Sequence, residues 1–428
     1  MTASGTVEGA PAPIMPPRRW RPTRHTVAVL AVAYWIYVVN GVLNSELGPS
    51  LPGMVQSFHI DLATAGTIFT TQFIGYLLGA LGSGIVADRW GYQRVMILAA
   101  VLTALGTAGT AWAGTWLTAI ALTGAAGVGF GVTDSLCNAV VAAQVPSEGG
   151  VALNLLHTFF GVGALLGPLL VGLFLATAAG WHAMFLVTGV LALSCVGCIM
   201  VAHIPPPPHL AASGGAHAAP RAGQATPDPV GRGAWVARHL WLLIGLLFLF
   251  VGMEQVIGGW STTYLNRALG AHLDVAARSV ALYWAAVTLG RLVASLLAVR
   301  LSNERLLGGS VIVALAALVA LATAGTIGPA LLALAVVGLG FAPIYPTIMA
   351  LAARAYPRRF ATLAGLITAA GGLGGAIFPW LGGIVGQTWG LHATIWLGAG
   401  IALTLLILFI GLLGHGTGRD DRVSGGPQ

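Results

Sequence analysis

Long apolar runs separated by short polar punctuation fill the chain from about residue 27 to about residue 414. They fall near 27–50, 63–87, 95–113, 116–143, 150–178, 182–202, 239–265, 275–299, 306–325, 328–354, 360–387 and 391–414. A bilayer takes a helix of about 20 apolar residues, and only helices and closed barrels satisfy their own backbone in lipid. The pattern therefore predicts twelve membrane-spanning helices, several of them long enough to tilt. Residues 1–26, 203–238 and 415–428 are polar or rich in Pro, Gly, Ala and Ser. They read as a disordered N-terminal tail, a flexible linker and a C-terminal tail, leaving bundles at 27–202 and 239–414. The expected fold class is an all-α integral membrane protein of two pseudo-symmetric six-helix bundles.

An internal repeat supports the halves. Gly127 to Pro146, GVGFGVTDSLCNAVVAAQVP, recurs 211 positions later as Gly338 to Pro357, GLGFAPIYPTIMALAARAYP. The same shift carries Gly161, Gly163 and Pro168 onto Gly372, Gly374 and Pro379, and Gly41 and Gly48 onto Gly252 and Gly259. Two homologous halves with a binding site between them near the bilayer midplane is the plan of secondary transporters.

Composition agrees. The 428 residues are 57% hydrophobic and 7% charged, against about 25% charged in soluble domains. The net charge of +7 comes from arginines at span ends and in the tails, which the positive-inside rule explains without a nucleic-acid partner. Arg18, Arg19, Arg21, Arg24, Arg89, Arg94, Arg221, Arg232, Arg238, Arg300, Arg305, Arg354, Arg358, Arg359, Arg419 and Arg422 collect on one side, and only Arg267 and Arg278 on the other. Both termini are thus expected in the cytoplasm, with the protein in the inner cell membrane. The first apolar run is too long for a cleavable signal. Cys137, Cys195 and Cys198 lie inside apolar runs, where packing explains them better than a disulfide or a metal; no metal or cofactor is expected.

Against this apolar background, single polar groups stand out. Asp134 and Asn138 are one helical turn apart on one face, so their polar ends can address one ligand. A carboxylate within a span is costly and faces a bundle interior or wet cavity. Desolvation favours the neutral form of a carboxyl group, so such a residue can load and release a proton. Glu254, about 16 Å from the end of its span, reads equally as a cavity acid or an interhelical brace. Asn40, Asn44, Gln72 and Gln255 offer the donor and acceptor pairs that sugar hydroxyls need, although amides also hold helices together. Trp260 can stack on a sugar face or anchor at the interface. His157 reads as a ligand contact or as a packing residue. Arg291, after Gly290, can snorkel or pair with a carboxylate, and a structural role is expected.

Between the second and third spans stands Gly84-Ile-Val-Ala-Asp88-Arg89-Trp-Gly91-Tyr-Gln-Arg94. The glycines allow close approach and a tight turn, and Asp88 with Arg89 and Arg94 offers ionic contacts. This segment resembles the G-x-x-x-D-R-x-G-R-R/K loop of the major facilitator superfamily, departing at Tyr92 and Gln93. The resemblance implies a gating role, latching the cytoplasmic ends. Asp134-Ser-Leu-Cys-Asn138, Ala152-Leu-Asn154-Leu-Leu-His157-Thr-Phe-Phe160 and Gly252-Met-Glu254-Gln-Val-Ile-Gly-Gly-Trp260 are similar to the fucose/glucose permease branch. That likeness implies proton coupling at Asp134 and sugar contacts at Asn138, Asn154 and His157. The acid that the branch carries in its first helix falls about two residues from Glu46, and no role is carried over to it. Gly163-Ala-Leu-Leu-Gly167-Pro168-Leu-Leu-Val-Gly172 resembles the glycine-proline motif of drug/proton antiporters; small residues at a helix crossing explain it equally.

The expected activity is proton-coupled symport of a monosaccharide, a hexose, by a monomer in contact with lipid. Proton-coupled efflux of amphiphilic compounds is the alternative, and a transporter-like receptor or lipid scramblase a third. No nucleophile, base and orienting group converge as an enzyme requires.

Overall fold

The computed structural model describes residues 23–145, 149–204, 230–357 and 360–413. Residues 1–22 of the expected N-terminal tail, the C-terminal tail and most of the linker, with Arg18, Arg19, Arg21, Arg221, Arg358, Arg359, Arg419 and Arg422, lie outside the described residues, while residues 24–26 already belong to the first helix.

Six helices make the first half: α1 (Arg24–Phe58), α2 (Leu62–Trp90), α3 (Tyr92–Ala111), α4 (Trp116–Gln144), α5 (Gly149–Leu175) and α6 (Gly180–Ala202). The second half holds α7 (Val230–Arg267), α8 (Leu273–Leu297), α9 (Asn303–Ala322), α10 (Ile327–Phe341), α11 (Ile344–Ala355), α12 (Phe360–Trp389) and α13 (Leu391–Leu413). Among the described residues, twelve segments are long and apolar enough to cross a bilayer, α10 and α11 together forming one of them. Side-chain caps set several starts: Thr23, Asp61, Thr115 and Ser302 each accept from the backbone N–H three residues on, supplying an acceptor to an otherwise orphaned donor.

Three boundaries differ from expectation. α1 does not stop near residue 50 but runs through Pro49 and Pro52 to Phe58, because neighbouring helices bury Leu51, Met54 and Val55 and packing outweighs two missing donors. The tenth span breaks between Phe341 and Ile344, where Pro343 and Pro346 crowd one turn. α7 begins at Val230, inside the stretch read as linker.

The repeat becomes geometry. Gly163 of α5 lies where a β-carbon would strike the Val38 carbonyl of α1, and its repeat mate Gly374 of α12 meets the Phe248 carbonyl of α7 in the same way. Gly127 and Gly129 press α4 onto Gln72 of α2 and Ala99 of α3; Gly338 and Gly340 press α10 onto Tyr283 of α8 and Ala314 of α9. Each half is one small-residue packing plan used twice.

The halves meet mainly through α2 with α12, α5 with α8, and α1 with α7. At the end remote from the arginines the seam is tight: the Leu62 N–H donates to Gln387 Oε1 at 3.1 Å and the Thr70 hydroxyl to the Ala376 carbonyl at 2.7 Å. There too, Gly48 lies against Gly258 and Gly259, and Gly66 against Trp380. Toward the arginine-rich end the α2 side chains Leu81, Ile85 and Val86 are exposed, and the inter-half bonds named above have no counterpart among the described residues.

Candidate functional site

The polar residues sort into a cluster, a slot, a set of braces and a distant loop. The cluster gathers on Asp134. Tyr76 of α2 donates its hydroxyl to Asp134 Oδ2 at 3.0 Å. Tyr37 of α1 donates to the Asp134 main-chain carbonyl at 3.3 Å, and Asn138 donates to the Tyr37 hydroxyl and, at 3.0 Å, to that same carbonyl. The expected pairing of Asp134 and Asn138 on one ligand is thus modified: they share a face, but the amide N–H groups are turned to Tyr37 and the backbone. His157 of α5 stands edge-on to Tyr37, ring centroids 5.5 Å apart. His157 and Asn154 are exposed, while Asp134 and Asn138 are half-buried. One turn on from His157, Gly161 passes the Thr288 hydroxyl of α8, so this face of α5 is turned to the other half.

Nearer the closed end, Asn44, Glu254 and Gln255 line a slot with Phe69 and Trp284. At about 10 Å³ it has room for at most one water, so the inter-half space tapers shut here. Glu254 is half-buried, and Arg291 of α8 lies on the helical face of a residue that lines the same slot, Trp284. Among the described residues the two form no ion pair.

Three expected sugar ligands are braces here. Asn40 is buried and exchanges hydrogen bonds at 3.3 Å with the Thr133 hydroxyl, which ties α1 to α4. Gln72 is equally buried and donates to the Leu43 carbonyl at 3.5 Å, joining α2 to α1. Trp260 is fully buried; its indole N–H donates to the Pro379 carbonyl at 2.8 Å, so it has no face open for stacking. In each case the low-dielectric interior makes a fixed partner worth more than an open one.

Gly84, Asp88, Arg89, Gly91 and Arg94 stand at the arginine-rich end. Gly91 takes φ +87°, a turn that other residues resist. The expected close approach at Gly84 is absent, since a β-carbon there would meet open space. The expected ionic contacts are absent too: Asp88, Arg89 and Arg94 are exposed and unpaired among the described residues. Glu46 is fully buried and accepts from Thr188 of α6 on one oxygen, away from the cluster; the other oxygen has no protein partner among the described residues.

Tyr37, Tyr76 and Tyr345 are the polar residues that sequence reasoning missed. Tyr345, at the α10–α11 break, lies within 3.5 Å of the Thr368 hydroxyl. The 211-residue shift carries Asp134 onto Tyr345 and His157 onto Thr368, so the repeat held the signal.

The family model of the Major Facilitator Superfamily matches residues 30–364 and 267–427. Bypass of stop codon protein 6 of Saccharomyces cerevisiae is 24% identical over 392 residues, covering 83% of this chain and 76% of that protein. The glucose/mannose transporter of Bacillus subtilis is 22% identical over 388 residues, covering 89% and 92%. Other relatives, matched over less than half of their own length, are named as transporters of 4-hydroxybenzoate and niacin. The crystal structure of a D-xylose-proton symporter superposes with a TM-score of 0.78 at 16% identity, covering 90% of this chain and 97% of that one, a likeness of fold. Twelve apolar spans in two repeated bundles, a polar slot lined from both of them and a family match along nearly the whole chain agree. The chain belongs to the Major Facilitator Superfamily, as a multi-pass membrane transporter of a small-molecule solute and not an enzyme.

Proposed function

We propose that this transporter couples the uptake of a monosaccharide, a hexose, to the inward movement of a proton, working as a monomer by alternating access. The arginine-rich end and both termini lie in the cytoplasm of this reading, and the structure is its inward-facing form. The protein sits in the inner cell membrane. The observation that carries the reading is the Asp134 carboxyl, half-exposed between the halves and holding a hydrogen bond from the Tyr76 hydroxyl. It is an acid only partly covered by protein, with one fixed donor on its carboxyl. Asn138, Asn154 and His157 stand beside it, and Asn44, Glu254 and Gln255 line the slot beyond. The similarity to the glucose/mannose transporter supports a sugar as the solute.

Coupling asks only that protonation of Asp134, with Glu254 as a second acid, change the relative free energies of the two loaded states. A differential of a few kcal/mol is enough. The test is uptake of radiolabelled glucose into proteoliposomes with and without an inward proton gradient, in sodium-free buffer. Wild type accumulates the sugar against its gradient, whereas Asp134→Asn is expected to retain sugar counterflow and lose accumulation. Accumulation by the mutant overturns the proton role of Asp134.

A further inference from the structure

Arg291 has no task in the reading above, yet its surroundings are those of a binding residue. It lies on α8 three and seven residues after Thr288 and Trp284, on the same helical face. Trp284 lines the slot beside Glu254, and the Thr288 hydroxyl is the group that α5 passes at Gly161. That face is therefore turned to the other half. The opposite face, with Leu289, Leu292, Val293 and Leu296, is exposed and apolar, as a lipid-facing surface is.

Despite this company, Arg291 forms no ion pair and no hydrogen bond among the described residues. The carboxylates that do pair with arginine are elsewhere: Asp274 with Arg278 and Glu304 with Arg354. Arg291 is half-buried, and its guanidinium has five donors and no acceptor function. Losing hydration without gaining a partner is unfavourable, and within a span such a cation marks a solute path. Snorkelling toward the nearby helix end at Leu297 is the bland account. It does not explain a helical face shared with Trp284 at the slot and with Thr288 where α5 passes.

We propose that Arg291 is the anion-recognition residue of the central site and that the solute is a sugar acid, a hexuronate or aldonate. Its carboxylate docks on the guanidinium while its hydroxyls lie toward the slot that Asn44 and Gln255 line. The inference rests on the sugar reading above and narrows it. The planar fork of arginine matches a carboxylate bidentately. Seven residues of helix separate Arg291 from Trp284 at the slot, about 10 Å, a span that a six-carbon acid bridges when the arginine side chain leans toward it. The charge balance also fits. Asp134, Glu254 and Arg291 sum to one negative charge when all are ionised, and a proton entering with a monoanion leaves that sum unchanged.

The experiment measures binding of D-glucose, D-glucuronate and benzoate to the purified full-length protein by isothermal titration calorimetry. Wild type is expected to bind glucuronate about tenfold or more tightly than glucose, the scale of a charge-assisted pair. Arg291→Gln should collapse that ratio to about one, and Arg291→Lys, which keeps the charge and loses the fork, should give an intermediate ratio. The lysine variant also covers the case in which the glutamine variant does not fold. Equal affinities in wild type, or a ratio that Arg291→Gln leaves unmoved as a snorkelling arginine would, overturn the proposal. Arg291-dependent binding of benzoate with no binding of either sugar sinks the sugar reading while leaving Arg291 as the anion site. Failure of all three probes overturns both.

Discussion

At the residue scale, Trp260 separates a brace from a ligand. Its ring is fully buried and its N–H is held by the Pro379 carbonyl of α12. Trp260→Phe keeps most of the apolar bulk and leaves that carbonyl without its donor, a loss of about 1–3 kcal/mol. The expected outcome is a lower midpoint of thermal unfolding in detergent with the sugar dissociation constant within about twofold of wild type. A large loss of affinity at unchanged thermal stability would return Trp260 to the binding site. Sequence could not make this distinction, because a buried indole and a stacking indole are the same letter, and the partner lies 119 positions away. Asn40 illustrates the same limit, its role being decided by Thr133 of another helix. Asp134 was legible because an acid in an apolar run has few stable environments. Tyr37 and Tyr76 were not, because tyrosine is at home in packing and at interfaces alike.

At the scale of elements, apolar periodicity located the spans well and misplaced their ends, since ends depend on caps and on tertiary cover. Pro49 and Pro52 read as a stop in α1 and were overridden by packing; Pro343 and Pro346 read as part of one span and broke it. Asp61 is a clean case of an end set by local chemistry. It accepts from the Thr64 N–H at 2.7 Å, and that bond to the charged form holds its carboxyl below the ordinary value. The sign follows: with its folded value depressed, Asp61 stabilises above its unfolded value and the contribution is lost as pH falls through the folded one. Asp61→Ala is expected to cost about 1 kcal/mol at neutral pH. Asp61→Asn, itself a good cap, should keep the helix start and remove this part of the acid sensitivity. Thermal melts of the three proteins at pH 7 and in acid check both, and an alanine variant indistinguishable from wild type at pH 7 would remove the cap from the account.

At the scale of the molecule, the constant offset of 211 residues predicted two like halves, and paired glycines at matching crossings realise them. What an offset cannot reveal is which end of the seam is closed, because that is a property of one state in a cycle. The closed end depends on bare backbone: a β-carbon on Gly48 would strike the Gly258 carbonyl and come within 2.9 Å of the Gly259 Cα. Backbone cannot swing aside as a side chain can, so Gly48→Ala penalises this closure by the roughly 1–3 kcal/mol typical of overpacking. Gly258→Ala supplies the control, since a β-carbon there meets nothing within 4 Å. Both substitutions raise helix propensity by the same amount, so the difference between them isolates the collision. In a background with Cys137, Cys195 and Cys198 replaced and Asn44→Cys as reporter, an impermeant maleimide added outside should label the Gly48→Ala protein at least about fivefold faster than the Gly258→Ala protein. Equal labelling rates would mean that Gly48 does not control closure, and the alternating-access reading of this seam would have to rest on α2 and α12 alone.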